Sequence, residues 1–145
     1  MRRYLLDSAI LAAVLNNRPA VVALVKPWIA AHEAATSILV YGEVIEYLKP
    51  RSDFARRHAA LRALVRGAYP HFLTYRIVER YADIRLQLRP PHGPGLIGDV
   101  DTLIAATALE RNLAVVTTDS DFRRVPGLKV MLIPRTQVRA VQSHP

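Results

Sequence analysis

The chain has 145 residues, 51% hydrophobic and 22% charged, with no cysteine. That length and composition suit one globular domain with a buried core. They exclude a disordered polymer, a disulfide framework, zinc–thiolate and iron–sulfur sites and a cysteine nucleophile.

Twenty Lys+Arg, seventeen of them Arg, stand against twelve Asp+Glu and give a net charge of +8. Arg grips phosphate with a planar fork, so the balance suits a polyanionic partner and, equally, an Arg-rich solubilising surface. Met1-Arg2-Arg3 followed by Tyr4–Leu15 resembles a signal peptide, but Asp7 interrupts the apolar stretch and no cleavage site follows. No apolar run approaches the roughly 20 residues a membrane helix needs. The expectation is a soluble, cytoplasmic chain with no membrane contact.

Arg3–Leu6 ends at Asp7 and reads as a buried strand, and Ser8–Leu15 reads as a helix. Asn16-Asn17-Arg18-Pro19 breaks it, and Ala20–Ala31 forms a second helix. Thr36–Leu39 is a second strand, followed by a helix that carries Glu43 and Glu46 and stops before Pro50. Ser52 caps and Gly67 stops the next helix, with Phe54, His58, Leu61 and Val65 on one face and Arg62 and Arg66 on another. His71–Thr74 is a third strand.

Tyr75–Leu88 is a helix with Ile77, Tyr81, Ile84 and Leu88 inward and Arg76 and Arg80 on a second face. The Pro- and Gly-rich segment Arg89–Gly98 is a loop. Asp99–Arg111 is a helix that Asn112 ends in the left-handed conformation. Ala114–Thr117 is a strand, Thr118–Phe122 a turn and Lys129–Ile133 the last strand. Residues 1–134 are expected to form the domain and 135–145 a polar tail.

Short apolar strands alternating with helices imply an α/β fold: a three-layer α/β/α sandwich around a parallel sheet of four to five short strands. Ligands in such sheets bind at the carboxyl ends of the strands, where the strand order reverses. Several of the few acids fall at those places: Asp7 after the first strand, Asp119 and Asp121 after Ala114–Thr117, Asp99 and Asp101 at a helix start, Glu43 early in its helix. Each taken singly suits a helix cap or a surface residue. Together they converge on one edge if the sheet closes as expected. Converging carboxylates repel, and either proton sharing or a divalent cation relieves them. With only oxygen donors and no His or Cys at ligand spacing, the set selects Mg²⁺ or Mn²⁺ over Zn²⁺. Such an ion activates water against a phosphodiester.

Leu5-Leu6-Asp7-Ser8, Ser37 with Glu43, Asp101-Thr102-Leu103-Ile104-Ala105-Ala106, Val116-Thr117-Thr118-Asp119-Ser120-Asp121-Phe122 and Val125-Pro126-Gly127-Leu128 resemble the PIN-domain family, in its VapC-type toxin branch. The resemblance runs from Tyr4 to about Ile133. It implies a metal-dependent endoribonuclease and carries an acidic quartet onto Asp7, Glu43, Asp101 and Asp119, with Glu46 one helical turn from Glu43 as a competitor. Ser8 and Thr117 match small hydroxyl positions, Asp121 a less constant acid, and Asp99 a cap or supporting residue.

The resemblance implies that Asp7 and Asp101 hold the principal ion, with Glu43 and Asp119 binding directly, through water or to a second ion. Attack by water would leave a 5′-phosphate and a 3′-hydroxyl; internal attack by the 2′-hydroxyl would leave a cyclic phosphate, and end-group analysis separates the two.

RNA would be held by Arg62, Arg66, Arg76 and Arg80, by helical spacing, and by Arg123 and Arg124, beside the Asp119 turn. The implied partners are an RNA substrate, a cognate antitoxin and a second copy in a homodimer. The apolar residues Val21, Val22, Leu24, Val25, Trp28 and Ile29 exceed what one sheet face needs and are a candidate interface. The alternatives are a non-catalytic RNA-binding or scaffold PIN-like domain and a phosphatase of the haloacid dehalogenase type, whose Asp-x-Asp is missing at Asp7-Ser8-Ala9. A Rossmann nucleotide binder is excluded, because no glycine-rich loop follows the first strand. RNA affinity is expected to fall steeply with salt in a filter-binding titration, and a flat dependence would contradict an arginine-held backbone.

Overall fold

Leu5 and Leu6 are large, apolar and followed by an acid, so burial favours an extended run that ends there. In the computed structural model, which describes residues 1–139, both are fully shielded in β1 (Tyr4–Leu6). β1 lies between β2 (Ala34–Ser37) and β4 (Ala114–Thr117). β3 (Tyr69–His71) pairs with β2, and β5 (Val130–Leu132) pairs with β4. All four pairings are parallel, in the order β3-β2-β1-β4-β5. The chain moves outward from β1 to β3, then returns to the other side at β4, so the order reverses beside β1.

The helices are α1 (Ser8–Leu15), α2 (Pro19–Ala30), α3 (Ile38–Leu48), α4 (Phe54–Gly67), α5 (Tyr75–Leu88) and α6 (Asp99–Arg111). Right-handed crossovers place α1 to α4 on one face of the sheet and α5 and α6 on the other. The packing agrees: α1 touches α2, α3 and α4, while α5 packs along α6. The three-layer α/β/α sandwich read from the alternation of strands and helices is the fold observed.

The differences lie at element ends, where side-chain caps overrule apolar patterning. The second strand is Ala34–Ser37 rather than Thr36–Leu39, because the Ser37 hydroxyl accepts from the Leu39 amide and starts α3. The third strand is Tyr69–His71 rather than His71–Thr74, because Thr74 caps α5 through the Ile77 amide. The helix expected from Ser52 starts at Phe54; Asp53 occupies the cap position but makes no side-chain cap bond. Its carboxylate is held instead by Arg51, Arg56 and Arg57. Asn112 is left-handed as expected, at φ 54 and ψ 51.

Part of the apolar surplus assigned to the second helix is taken up inside the chain. Val21 and Val25 are fully buried, Leu24, Trp28 and Ile29 pack on the core, and Trp28 stacks on Tyr4 with centroids 3.9 Å apart. Exposed apolar side chains gather instead after β3, at Phe72, Leu73, Tyr75 and Val78. In the segment 135–145, Arg135–Gln137 form a 3₁₀ turn and Val138 packs against the core; 140–145 lie outside the described residues. Among the described residues, no single helix is long and apolar enough to cross a membrane.

Phe122, which closes the core below the turn after β4, is fully buried. Phe122→Ala removes a large side chain from a packed interior and is expected to cost about 3–5 kcal/mol, read as a lower urea midpoint with an unchanged slope.

Candidate active site

Three features bring acids to the carboxyl edge of the sheet. β1 delivers Asp7, which caps α1 by accepting from the Ser8 amide at 2.9 Å. β4 delivers Thr117, whose hydroxyl donates to Asp7 Oδ2 at 2.6 Å and accepts from the Asp119 amide at 3.1 Å. The first turn of α6 carries Asp99 and Asp101. β1 and β4 are neighbours at the reversal of strand order, so Asp7 and Asp119 flank the position where ligands bind in open parallel sheets.

Asp7 is 6% exposed. Burial pushes its carboxyl above the ordinary range, the bonds from Thr117 and Ser8 oppose this, and the Asp119 charge adds to it. Glu43, on α3, is pushed up by burial and then by the charges of Asp7 and Asp101, with Ser8 opposing and Glu46 adding. Asp101 is pushed up to about 6, first by burial and then by Asp7, Asp119 and Asp121. These acids therefore repel one another across a single region. Glu43 Oε1 is buried with no hydrogen-bond partner, a state that costs free energy unless something else satisfies it. Glu43 and Glu46 both line an adjoining cavity of about 330 Å³ with Ser8, Ala9, Ala12, Val44 and Tyr47. Glu46 is exposed, whereas Glu43 is half-buried and faces the other acids electrostatically.

The remaining predicted residues divide. The Asp119 carboxylate caps the 3₁₀ turn Ser120–Arg124 by accepting from the Asp121 amide at 2.9 Å. Asp121 pairs with Arg124 at 3.3 Å, and Arg124 also reaches the Leu96 carbonyl. Arg123 is exposed beside it. Asp99 is turned away: it is 70% exposed and bonded by Arg85 at 2.8 Å and Tyr81 at 3.2 Å on α5. Arg76 and Arg80 are not free for a substrate, because both bind Glu110 near the far end of α6, at 2.9 and 2.6 Å. Arg62 and Arg66 line a separate cavity of about 290 Å³ with Ile38, Tyr41 and Val65, and neither forms an ion pair among the described residues.

Tyr47, one helical turn after Glu43, lies at the cavity rim and is 52% exposed. Among the described residues, no three acidic or histidine side chains stand close enough together to hold a metal ion.

The fold and this edge define a class: a three-layer α/β protein with acids at the carboxyl edge of its sheet, beside the switch point. The PIN domain family model matches residues 4–128. The chain belongs to the PIN domain family.

Solved structures share the fold at low identity. VapBC from Salmonella typhimurium, bound to DNA, has a TM-score of 0.80 at 20% identity, covering 90% of this chain and 98% of that one. VapBC2 from Rickettsia felis, bound to a promoter DNA fragment, has a TM-score of 0.78 at 20% identity over the same shares. FitAcB from Neisseria gonorrhoeae has 0.70 at 22% identity, covering 88% and 96%. A comparison with curated protein sequences gives no match.

The raised Asp101 pKa has a sign that stability can test. The native state holds this proton more tightly than the unfolded chain, so between about pH 4 and 6 stability falls as pH rises, and it stays lower above that window. Asp101→Asn removes the repulsion. It is expected to raise the urea midpoint at pH 7 in metal-free buffer, with the gain vanishing near pH 4. A variant less stable than wild type at pH 7 would contradict mutual repulsion at this edge.

Proposed function

We propose that the chain is a Mg²⁺- or Mn²⁺-dependent endoribonuclease, the toxin half of a toxin–antitoxin pair. One observation carries the reading. In a chain with seventeen Arg, seven acids form no ion pair among the described residues; Glu46, Glu79 and Asp83 are exposed to water, whereas Asp7 is buried and Glu43, Asp101 and Asp119 are half-buried. Buried and half-buried carboxylates left without a cation in the protein fit a cation from outside it. The donors are all carboxylate oxygens, which suit Mg²⁺ or Mn²⁺, and the unpartnered Glu43 Oε1 fits the same role.

Asp7 and Asp101 would hold the ion, with Glu43 and Asp119 completing the set. Such an ion, when bound, offsets phosphate charge and acidifies water. Thr117 and the Ser8 amide fix the Asp7 carboxylate, so it needs no rearrangement to act. Ser8 lies beside Glu43 and steadies it. Asp121 adds negative charge and positions Arg124 through their ion pair. Arg62, Arg66, Arg123 and Arg124 would hold the RNA backbone. Arg76 and Arg80, paired to Glu110, are left out of that role.

The catalytic domain would comprise residues 1–134, followed by the tail 135–145, in a cytoplasmic homodimer. The Salmonella and Rickettsia structures are VapBC complexes, which supports a cognate antitoxin here. The chemistry of inhibition would be a segment bearing Arg or Lys laid against the unpaired carboxylates. A second reading, a non-catalytic RNA-binding or scaffold domain, is favoured by the absence of three acids within ion-binding reach among the described residues.

Purified, antitoxin-free protein incubated with total RNA in Mg²⁺ or Mn²⁺ distinguishes the two. Discrete fragments with 5′-phosphate ends are expected. EDTA should abolish them, and Asp101→Asn should lower the rate by about 10²–10³-fold. The fold of the variant is checked by circular dichroism. No cleavage together with no Asp101-dependent Mn²⁺ binding would establish the non-catalytic reading.

A further inference from the structure

α6 joins regions of opposite charge. Asp101 lies in its first turn and Arg111 in its last, about 15 Å apart along the axis. At the Arg111 end there is a cavity of about 470 Å³, lined by Met1, Arg2, Tyr69, His71, Arg111 and Leu113. None of these residues is acidic.

Arg2 is held in place at this cavity. Its Nη1 donates to the Ala34 and Gly67 carbonyls at 2.6 and 3.1 Å, and its guanidinium lies 5.6 Å from the Tyr69 ring centroid. The rest of its fork makes no hydrogen bond among the described residues. Arg111 makes neither a side-chain hydrogen bond nor an ion pair among them. The acids nearest in sequence are committed elsewhere: Glu110 to Arg76 and Arg80, Glu33 to Arg3. The negative end of α6 offers only about half a charge, so the cavity keeps a positive surplus. His71 packs edge-on against Tyr69 at 4.9 Å, and its Nε2 is buried with no partner. Burial and the charges of Arg111 and Arg2 hold the imidazole below its ordinary value, as expected where positive potential has no counterion.

We propose that this cavity binds a phosphate-class anion, gripped by Arg2 and Arg111 beside the His71 ring. Two guanidinium forks offer the paired donors that phosphate oxygens take. The site is separate from the carboxylates and does not depend on their chemistry.

The test is an NMR titration of the full chain with inorganic phosphate, against sodium chloride of equal ionic strength. The His71 ring signals are assigned by their loss in His71→Gln. A saturable shift of those signals is expected with phosphate, reversed by competing sulfate and absent with chloride. Arg111→Gln should weaken the apparent affinity at least tenfold. Running the series in Asp101→Asn should leave it unchanged, which separates this site from the nuclease reading. A 5′-phosphorylated 2′-O-methyl RNA oligonucleotide forms a second arm. A His71 shift with it assigns the phosphate to a nucleic-acid strand, and a shift with inorganic phosphate alone assigns a free anion. A response equal to that of chloride, or one unaltered in Arg111→Gln, overturns the proposal; if that variant misfolds, failure of sulfate to compete does so.

Discussion

The Thr117 hydroxyl ties the middle of this molecule together. It donates to Asp7 at the end of β1 and accepts from the Asp119 amide beyond β4, spanning the reversal of strand order. A carboxylate that is 6% exposed would be costly without such bonds. A charge-assisted O–H···O bond is among the stronger ones available in a protein interior. Asp7 therefore stays where the parallel sheet puts it, and the α1 cap it supplies depends on the same carboxylate. Neighbouring acids meet a fixed charge.

Charge placement follows from that constraint. The chain is strongly basic overall, yet among the described residues no arginine pairs with Asp7, Glu43, Asp101 or Asp119, and the one at this edge that does pair, Arg124, takes Asp121. Three of them converge on Asp53, two on Glu110 and one on Asp99. These pairs are mostly exposed and each adds little stability. Their larger effect is on electrostatics: they neutralise peripheral acids and leave Asp7, Glu43 and Asp101 repelling one another. Mutual repulsion weakens the fold slightly and favours a cation. The opposite arrangement occurs at the far end of α6, where Arg2 and Arg111 lack acids. One rigid helix thus separates a region suited to a cation from one suited to an anion.

Much of the candidate site was legible because its residues end strands or begin helices. Asp7, Asp101 and Asp119 are local punctuation as well as candidate ligands, and a buried strand followed by an acid is a readable pattern. Glu43 and Glu46 were harder. Both lie on α3 within one turn, and periodicity cannot rank them. Packing does: Glu43 Oε1 is buried while Glu46 is exposed. The Arg pairs show the same limit. Arg62/Arg66 and Arg76/Arg80 have identical spacing, and only the packing of α5 on α6 sets Glu110 against the second pair. The share of the α2 apolar face that the core takes up is not readable locally, because the Tyr4–Trp28 stack joins residues far apart in the chain.

What the amino-acid sequence determined by itself was the class of fold and the family. Strand and helix alternation follows from local propensity and burial. The exclusion of thiol and zinc–thiolate chemistry follows from composition, and the family follows from short ordered motifs. Tertiary structure decided which charges meet. The energy of an ion pair or of a repelling pair depends on distance and burial, and neither is encoded locally. That is why Asp99, two residues before Asp101, is tied to Arg85 and exposed, while Asp101 faces Asp7.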